Sequence, residues 1–134
     1  RQALANALRA ALVDSGLAPA SIGPITAHGL ATRQRDVDEA QALAEALSDA
    51  SSNVPVTAMK SYFGNLGAGS GVVELIGSLL ALKNSRLPRV LNYEAPDPEC
   101  PLLIADGETA SGASFLNLSV TPQGQAAVLA VSAG

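Results

Sequence analysis

The run from Val72 to Asn84 is apolar on most faces of a helix, and it follows a glycine-rich turn, Gly64 to Gly71. A helix with so little polar face is stable in water only when other elements cover it, so the chain is expected to fold in layers around this segment as its core helix. Leu4, Leu8, Ala11, Leu12 and Ser15 recur at helical spacing and stop at Gly16, which predicts an amphipathic helix over residues 2 to 15. After the Pro19 to Pro24 loop, Ile25-Thr26-Ala27 reads as a short strand that runs straight into His28-Gly29, and Val54-Pro55-Val56-Thr57 reads as a second. Between them Asp36 and Glu39 stand in the order of a capping box, with Val37, Ala40, Ala44 and Leu47 at helical spacing, which predicts a helix over 37 to 49. Pro88, Pro96, Pro98 and Pro101 make residues 86 to 101 an extended connection, with room for a short strand at Arg89 to Asn92. Ser114 to Val120 and Ala126 to Val131 read as two strands joined by the turn Thr121-Pro122-Gln123-Gly124. Helices alternating with strands and closed by a hairpin predict an α/β fold, a mixed β-sheet covered by helices.

The 134 residues suffice for one core, and 48% apolar against 15% charged marks a packing sequence rather than a disordered one. A net charge of -4, two Phe, two Tyr and no Trp supply neither the basic footprint nor the stacking rings of a nucleic-acid binder. One cysteine and one histidine exclude an internal disulfide and a conventional zinc site, so neither a metal nor a resident cofactor is expected. No apolar run approaches the roughly 20 residues that span a bilayer, and residues 1–4 do not open a signal peptide, so a cytoplasmic, membrane-free protein is expected. The chain starts at Arg1 without Met and already inside a helical pattern, and a preceding segment is expected.

In α/β sheets working groups gather beyond the carboxyl ends of strands. Two polar clusters fall there, His28 to Thr32 and Lys60 to Asn65. Taken alone, the histidine is as readily structural as catalytic, and Lys60 is more readily a surface residue. The glycines from Gly64 to Gly71 are not a phosphate cradle, because no Lys-Ser/Thr follows them and their spacing is not that of the dinucleotide fingerprint.

Spacing adds a resemblance. His28-Gly29-Leu30-Ala31-Thr32-x-x-x-Asp36-x-x-Glu39 resembles the His-Gly-Thr-Gly-Thr-x-x-Gly-Asp-x-x-Glu signature of β-ketoacyl synthases. Lys60-Ser61-x-x-Gly64-Asn65-Leu66-x-x-Gly69-x-Gly71, with Glu74 downstream, resembles the same family's Lys-Ser-x-x-Gly-His-x-x-Gly-Ala-Ala-Gly turn. Leu87-Pro88 and Asn92-x-x-x-Pro96-Asp97-Pro98-Glu99 continue the match, which covers about residues 1 to 100. The resemblance implies one half of a thiolase-like fold, the C-terminal half, packed against an N-terminal half that carries a nucleophilic cysteine. It implies decarboxylative Claisen condensation of an acyl thioester with malonyl on acyl carrier protein, whose phosphopantetheine carries the substrates, and a homodimeric or heterodimeric full chain. His28 and Asn65 would then be oxyanion donors, Lys60 would pair with Glu74 to hold the turn, Asp36 and Glu39 would support it, and Thr32 would meet the phosphopantetheine arm. For the Lys60–Glu74 pair an ordinary buried ion pair is an equally good reading, and Asn65 has the alternative of serving a backbone turn.

Four departures from the family pattern limit what the resemblance implies. Asn65 stands where the elongating branch has a second histidine; it keeps an NH2 donor but cannot exchange a proton near neutral pH. Leu30 replaces the first threonine, and Arg35 replaces the glycine before Asp36. Thr121-Pro122-Gln123-Gly124-Gln125-Ala126 stands where the family has a Gly-Phe-Gly-Gly-Thr-Asn loop, which implies a differently gated pocket. Cys100, among prolines and acids, reads as a structural thiol rather than a nucleophile. The rival reading is a non-catalytic partner of the chain-length-factor kind. Either way the isolated chain is expected to be inactive and to associate through its uncovered packing face.

Overall fold

The computed structural model of the chain describes residues 1–133. Its elements run α1 (Gln2–Ser15), β1 (Ile25–Thr26), α2 (Arg33–Leu47), β2 (Pro55–Thr57), α3 (Lys60–Phe63), α4 (Ser70–Lys83), β3 (Leu103–Ile104), β4 (Ser114–Val120) and β5 (Ala126–Ser132). The strands form one mixed sheet in the order β3-β2-β1-β4-β5. Neighbours among the first four are parallel, and β5 returns antiparallel beside β4 from Ser114↔Ser132 to Val120↔Ala126. The expected α/β class and the closing hairpin are both present.

Alternation along the strands separates the two faces of the sheet. Ile25, Leu116 and Leu118 pack with Leu4, Leu8 and Leu12 of α1 and Leu43 and Leu47 of α2 into the main core. Thr26, Asn117 and Ser119 face α4: the Thr26 and Ser78 hydroxyls lie 2.6 Å apart, and the Asn117 side-chain NH2 donates to the Gly71 carbonyl at 3.2 Å. Gly71 allows the close approach, because a Cβ on it would stand 2.6 Å from the Ser119 hydroxyl and push that hydroxyl aside.

That contact corrects the reading of α4 as a helix buried between layers. Its buried residues are Ser70, Glu74, Ser78 and Ala81, the small and polar ones. Its apolar side faces out, with Val72 62%, Ile76 52% and Leu80 54% exposed, continued by Phe63 and Leu66. Hydropathy marks this side as apolar, and no element among the described residues covers it.

Smaller corrections concern the helix and strand limits. α2 starts four residues earlier than expected, with Thr32 at its N-cap, so Asp36 lies in the first turn and not at the N-cap. Glu39 turns away from the helix end to the loop before it, as described below. No strand forms at Arg89 to Asn92; the edge strand is β3, two residues long and lying beside β2, and Val90 donates only one bond, to the Ala105 carbonyl at 3.2 Å. The four-residue α3 is too short to announce itself by periodicity.

Candidate active site

Parallel pairing of β1 and β2, Ile25 with Val56 and Thr26 with Thr57, puts their carboxyl ends on one edge of the sheet. His28 follows β1 by two residues and Lys60 follows β2 by three, so the two clusters meet. Lys60 Nζ donates to the His28 carbonyl at 2.7 Å, lies 3.3 Å from His28 Nδ1 and pairs with Glu74 Oε1. The three protons of the ammonium thus have three acceptors. Lys60 and Glu74 side chains are 5% and 0% exposed, so this pair is shielded from water.

Those contacts fix the imidazole. An ammonium and a backbone N–H are donors only, and the Val120 N–H also points at Nδ1, at 3.4 Å. Nδ1 must therefore accept, which leaves the ring proton on Nε2. Burial, then the charges of Lys60 and Arg35, lower the His28 pKa from 6.5 to about 4, so the ring is neutral at physiological pH. The loop is clamped from its other side by Glu39, whose carboxylate accepts the His28 N–H at 2.7 Å and the Gly29 N–H at 3.0 Å. Burial raises the Glu39 carboxyl pKa, and those two N–H groups oppose the rise.

With a folded pKa below the unfolded one, the unfolded chain binds the extra proton between 6.5 and about 4, so His28 withdraws stability as pH falls through that window. The His28 ring resonance, followed by NMR, is expected to hold still through the ordinary histidine range and to move only near pH 4. A midpoint near 6.5 would mean that the ring is not held as described.

Asn65 is set by its own turn. Its Oδ1 accepts the Gly67 N–H at 3.1 Å and the Ser70 hydroxyl at 3.2 Å. Because the Gly67 N–H can only donate, the oxygen end is assigned and Nδ2 is left with two unused protons. The turn-forming duty and the availability of a donor are therefore compatible.

His28 and Asn65 line one cleft of about 380 Å³. Leu30, Arg35, the start of α1 and the hairpin turn Thr121–Gly124 complete its walls. Glu39 also reaches the cleft, whereas Lys60 and Glu74 stand behind His28 and act on it rather than on anything in the cleft. Thr32 does not line it; it is exposed at the N-cap of α2. Asp36 is half-buried, one of its carboxylate oxygens is without a partner, and burial raises its pKa. Cys100 lies outside the cleft, and burial followed by nearby carboxylates raises its thiol pKa, as suits an inert thiol. Among the described residues no group of three or more His, Cys, Asp or Glu is placed to hold a metal ion.

Two participants were not legible in the sequence. The Val120 N–H is a backbone group 92 residues from His28, and no side-chain pattern marks it. Ser70 orients Asn65, and only its place in the glycine-rich turn hints at that.

The five-stranded mixed sheet with its helices is that of a thiolase-like ketosynthase fold. Residues 1–94 match the family described as beta-ketoacyl synthase, C-terminal domain, and the chain belongs to that family. It is 39% identical over 104 residues to 3-oxoacyl-[acyl-carrier-protein] synthase 2 of Synechocystis, covering 78% of this chain, and 33% identical over 103 residues to the Staphylococcus aureus protein of the same name, covering 77%. The chain spans about a quarter of each, 25% and 26% of their lengths. Among solved structures, a type II polyketide acyl-carrier protein in complex with its ketosynthase bound to the hexaketide matches with a TM-score of 0.91 at 27% identity, over 98% of this chain and 33% of that one. The ishigamide ketosynthase/chain length factor matches with a TM-score of 0.91 at 28% identity, over 98% of this chain and 32% of that one. Both matches extend past residue 94, so the closing hairpin belongs to the same fold. No helix among the described residues is long and apolar enough to cross a membrane.

Proposed function

We propose that this chain is the oxyanion-binding half of a 3-oxoacyl-[acyl carrier protein] synthase, acting with an N-terminal half that bears the cysteine nucleophile. The observation that carries the reading is that His28, its Nδ1 facing Lys60 Nζ and the Val120 N–H so that the ring proton is left to Nε2, lines the same cleft as Asn65. When a malonyl thioester loses CO2, the electrons of the breaking C–C bond pass to the α-carbon and the thioester oxygen. Two fixed neutral donors at that oxygen, His28 Nε2–H and Asn65 Nδ2–H, stabilise the enolate as its charge develops, and neither needs to give up its proton. The α-carbon then attacks the acyl thioester on the cysteine, forming the new C–C bond and releasing the thiolate. Lys60, held in place by Glu74, acts through His28: it fixes the tautomer and adds its charge to burial in disfavouring the imidazolium. Thr32, exposed beside the cleft loop, is left as a contact for the phosphopantetheine arm outside the cleft.

The outward apolar side of α4, with Phe63 and Leu66, supports an N-terminal half as its cover, since relatives of the same family are about three times as long. The second reading, a non-catalytic partner of an active synthase, draws on Pro122 in the turn over the cleft and on the chain-length-factor assembly among the structural relatives. The test uses the complete natural chain with acyl and malonyl thioesters of acyl carrier protein, following intact mass and CO2. The synthase reading expects a covalent acyl adduct and malonyl-dependent CO2 release. No adduct with any donor refutes it in favour of the partner.

A further inference from the structure

Two of the four departures from the family pattern meet in space. Arg35, where the pattern has glycine, extends from the first turn of α2, and its Nη2 donates to the carbonyl of Pro122 at 3.2 Å. Pro122 sits in the turn that replaces the family's glycine-rich loop, 87 residues away. We propose that Arg35 is a positioning residue that straps the hairpin turn Thr121–Gly124 across the mouth of the cleft and thereby sets which acyl thioesters pass. The inference rests on the synthase reading for its second half only.

The turn is built to move as one piece. Thr121 N–H donates to the Gln125 carbonyl at 2.9 Å, Gly124 N–H to the Thr121 carbonyl at 3.0 Å, and Gln125 N–H to the Thr121 hydroxyl at 3.1 Å. Proline fixes one backbone angle in it and stiffens it further. Every one of those bonds lies within the hairpin. Among the described residues the only hydrogen bond from the turn to another element is the one from Arg35. Arg35 and all four turn residues line the cleft, so a change in their separation changes its width. A glycine-rich loop moves by its own backbone freedom; a stiff turn on a single tether moves by release of the tether. The guanidinium is exposed, so the strap is weak enough to open and close during turnover.

The test compares the complete natural chain with Arg35→Ala and Arg35→Lys. Hydrogen exchange across residues 121–125 is expected to rise about threefold or more in Arg35→Ala, with exchange in α1 and β1 unchanged, and to stay near the natural rate in Arg35→Lys, which keeps a charged donor. Acyl-adduct formation from short and long straight-chain carrier-protein thioesters is read in parallel. The ratio of long-chain to short-chain rates is expected to rise about threefold or more in Arg35→Ala and to be restored in Arg35→Lys. Unchanged exchange in the turn overturns the strap. Raised exchange with an unchanged ratio overturns its role in selectivity. If no variant forms an adduct, the synthase reading fails, and exchange alone still decides whether the strap exists.

Discussion

Replacing His28 with alanine in the complete natural chain is expected to slow malonyl-dependent CO2 release by about 10²- to 10³-fold, the cost of one missing oxyanion donor. The loss should fall on kcat and leave KM nearly unchanged, because the Nε2–H bond strengthens only as charge develops on the thioester oxygen. The fold should survive: Lys60 keeps Glu74 and the carbonyl of residue 28, and Glu39 keeps the two backbone N–H groups it accepts. His28→Gln, which keeps an NH2 donor without the imidazole geometry, should fall between. A loss smaller than about tenfold in His28→Ala would mean that the donor lies elsewhere.

Glu74→Ala is expected to destabilise the fold by about 3–5 kcal/mol, measured by urea unfolding, because it leaves the buried Lys60 ammonium without its carboxylate. Only the His28 carbonyl and Nδ1 remain as acceptors, and neither carries the compensating charge. Removing both charges together, as Lys60→Met with Glu74→Leu, should recover most of that stability. The double variant separates two roles of the pair. If it is only an ion pair, restored stability restores the rate; if it also fixes the His28 tautomer, the rate stays depressed in a stable protein, since the Val120 N–H is then the sole donor to Nδ1.

What the sequence discloses, and what it hides, can be followed residue by residue. The strand running into His28 and the one before Lys60 are legible from short β-branched runs, Ile25-Thr26 and Val54 to Thr57, and their parallel pairing brings the two clusters together. The hairpin is legible from two apolar runs around Thr121-Pro122-Gln123-Gly124. The capping box is misleading because Thr32 offers an earlier N-cap, while the Glu39 carboxylate is better used on the N–H groups of His28 and Gly29. In α4 the apolar run is legible but its placement is not: hydropathy does not say which side meets the sheet, and the side packed there is the polar one that meets Thr26 and Asn117. The contact from the Val120 N–H to Nδ1 is invisible to any reading of side chains, since what matters is a backbone amide delivered by the sheet.

The central claim is that His28 works as a neutral Nε2–H donor and not as an acid or base. The most direct test is the rate of malonyl decarboxylation by the complete natural chain, measured from about pH 5 to 8 beside His28→Gln. Because burial, Lys60 and Arg35 hold the His28 pKa at about 4, the account predicts no step attributable to His28 across that range, and parallel profiles for the two proteins. A step centred near the ordinary histidine value of 6.5 that disappears in His28→Gln would contradict it.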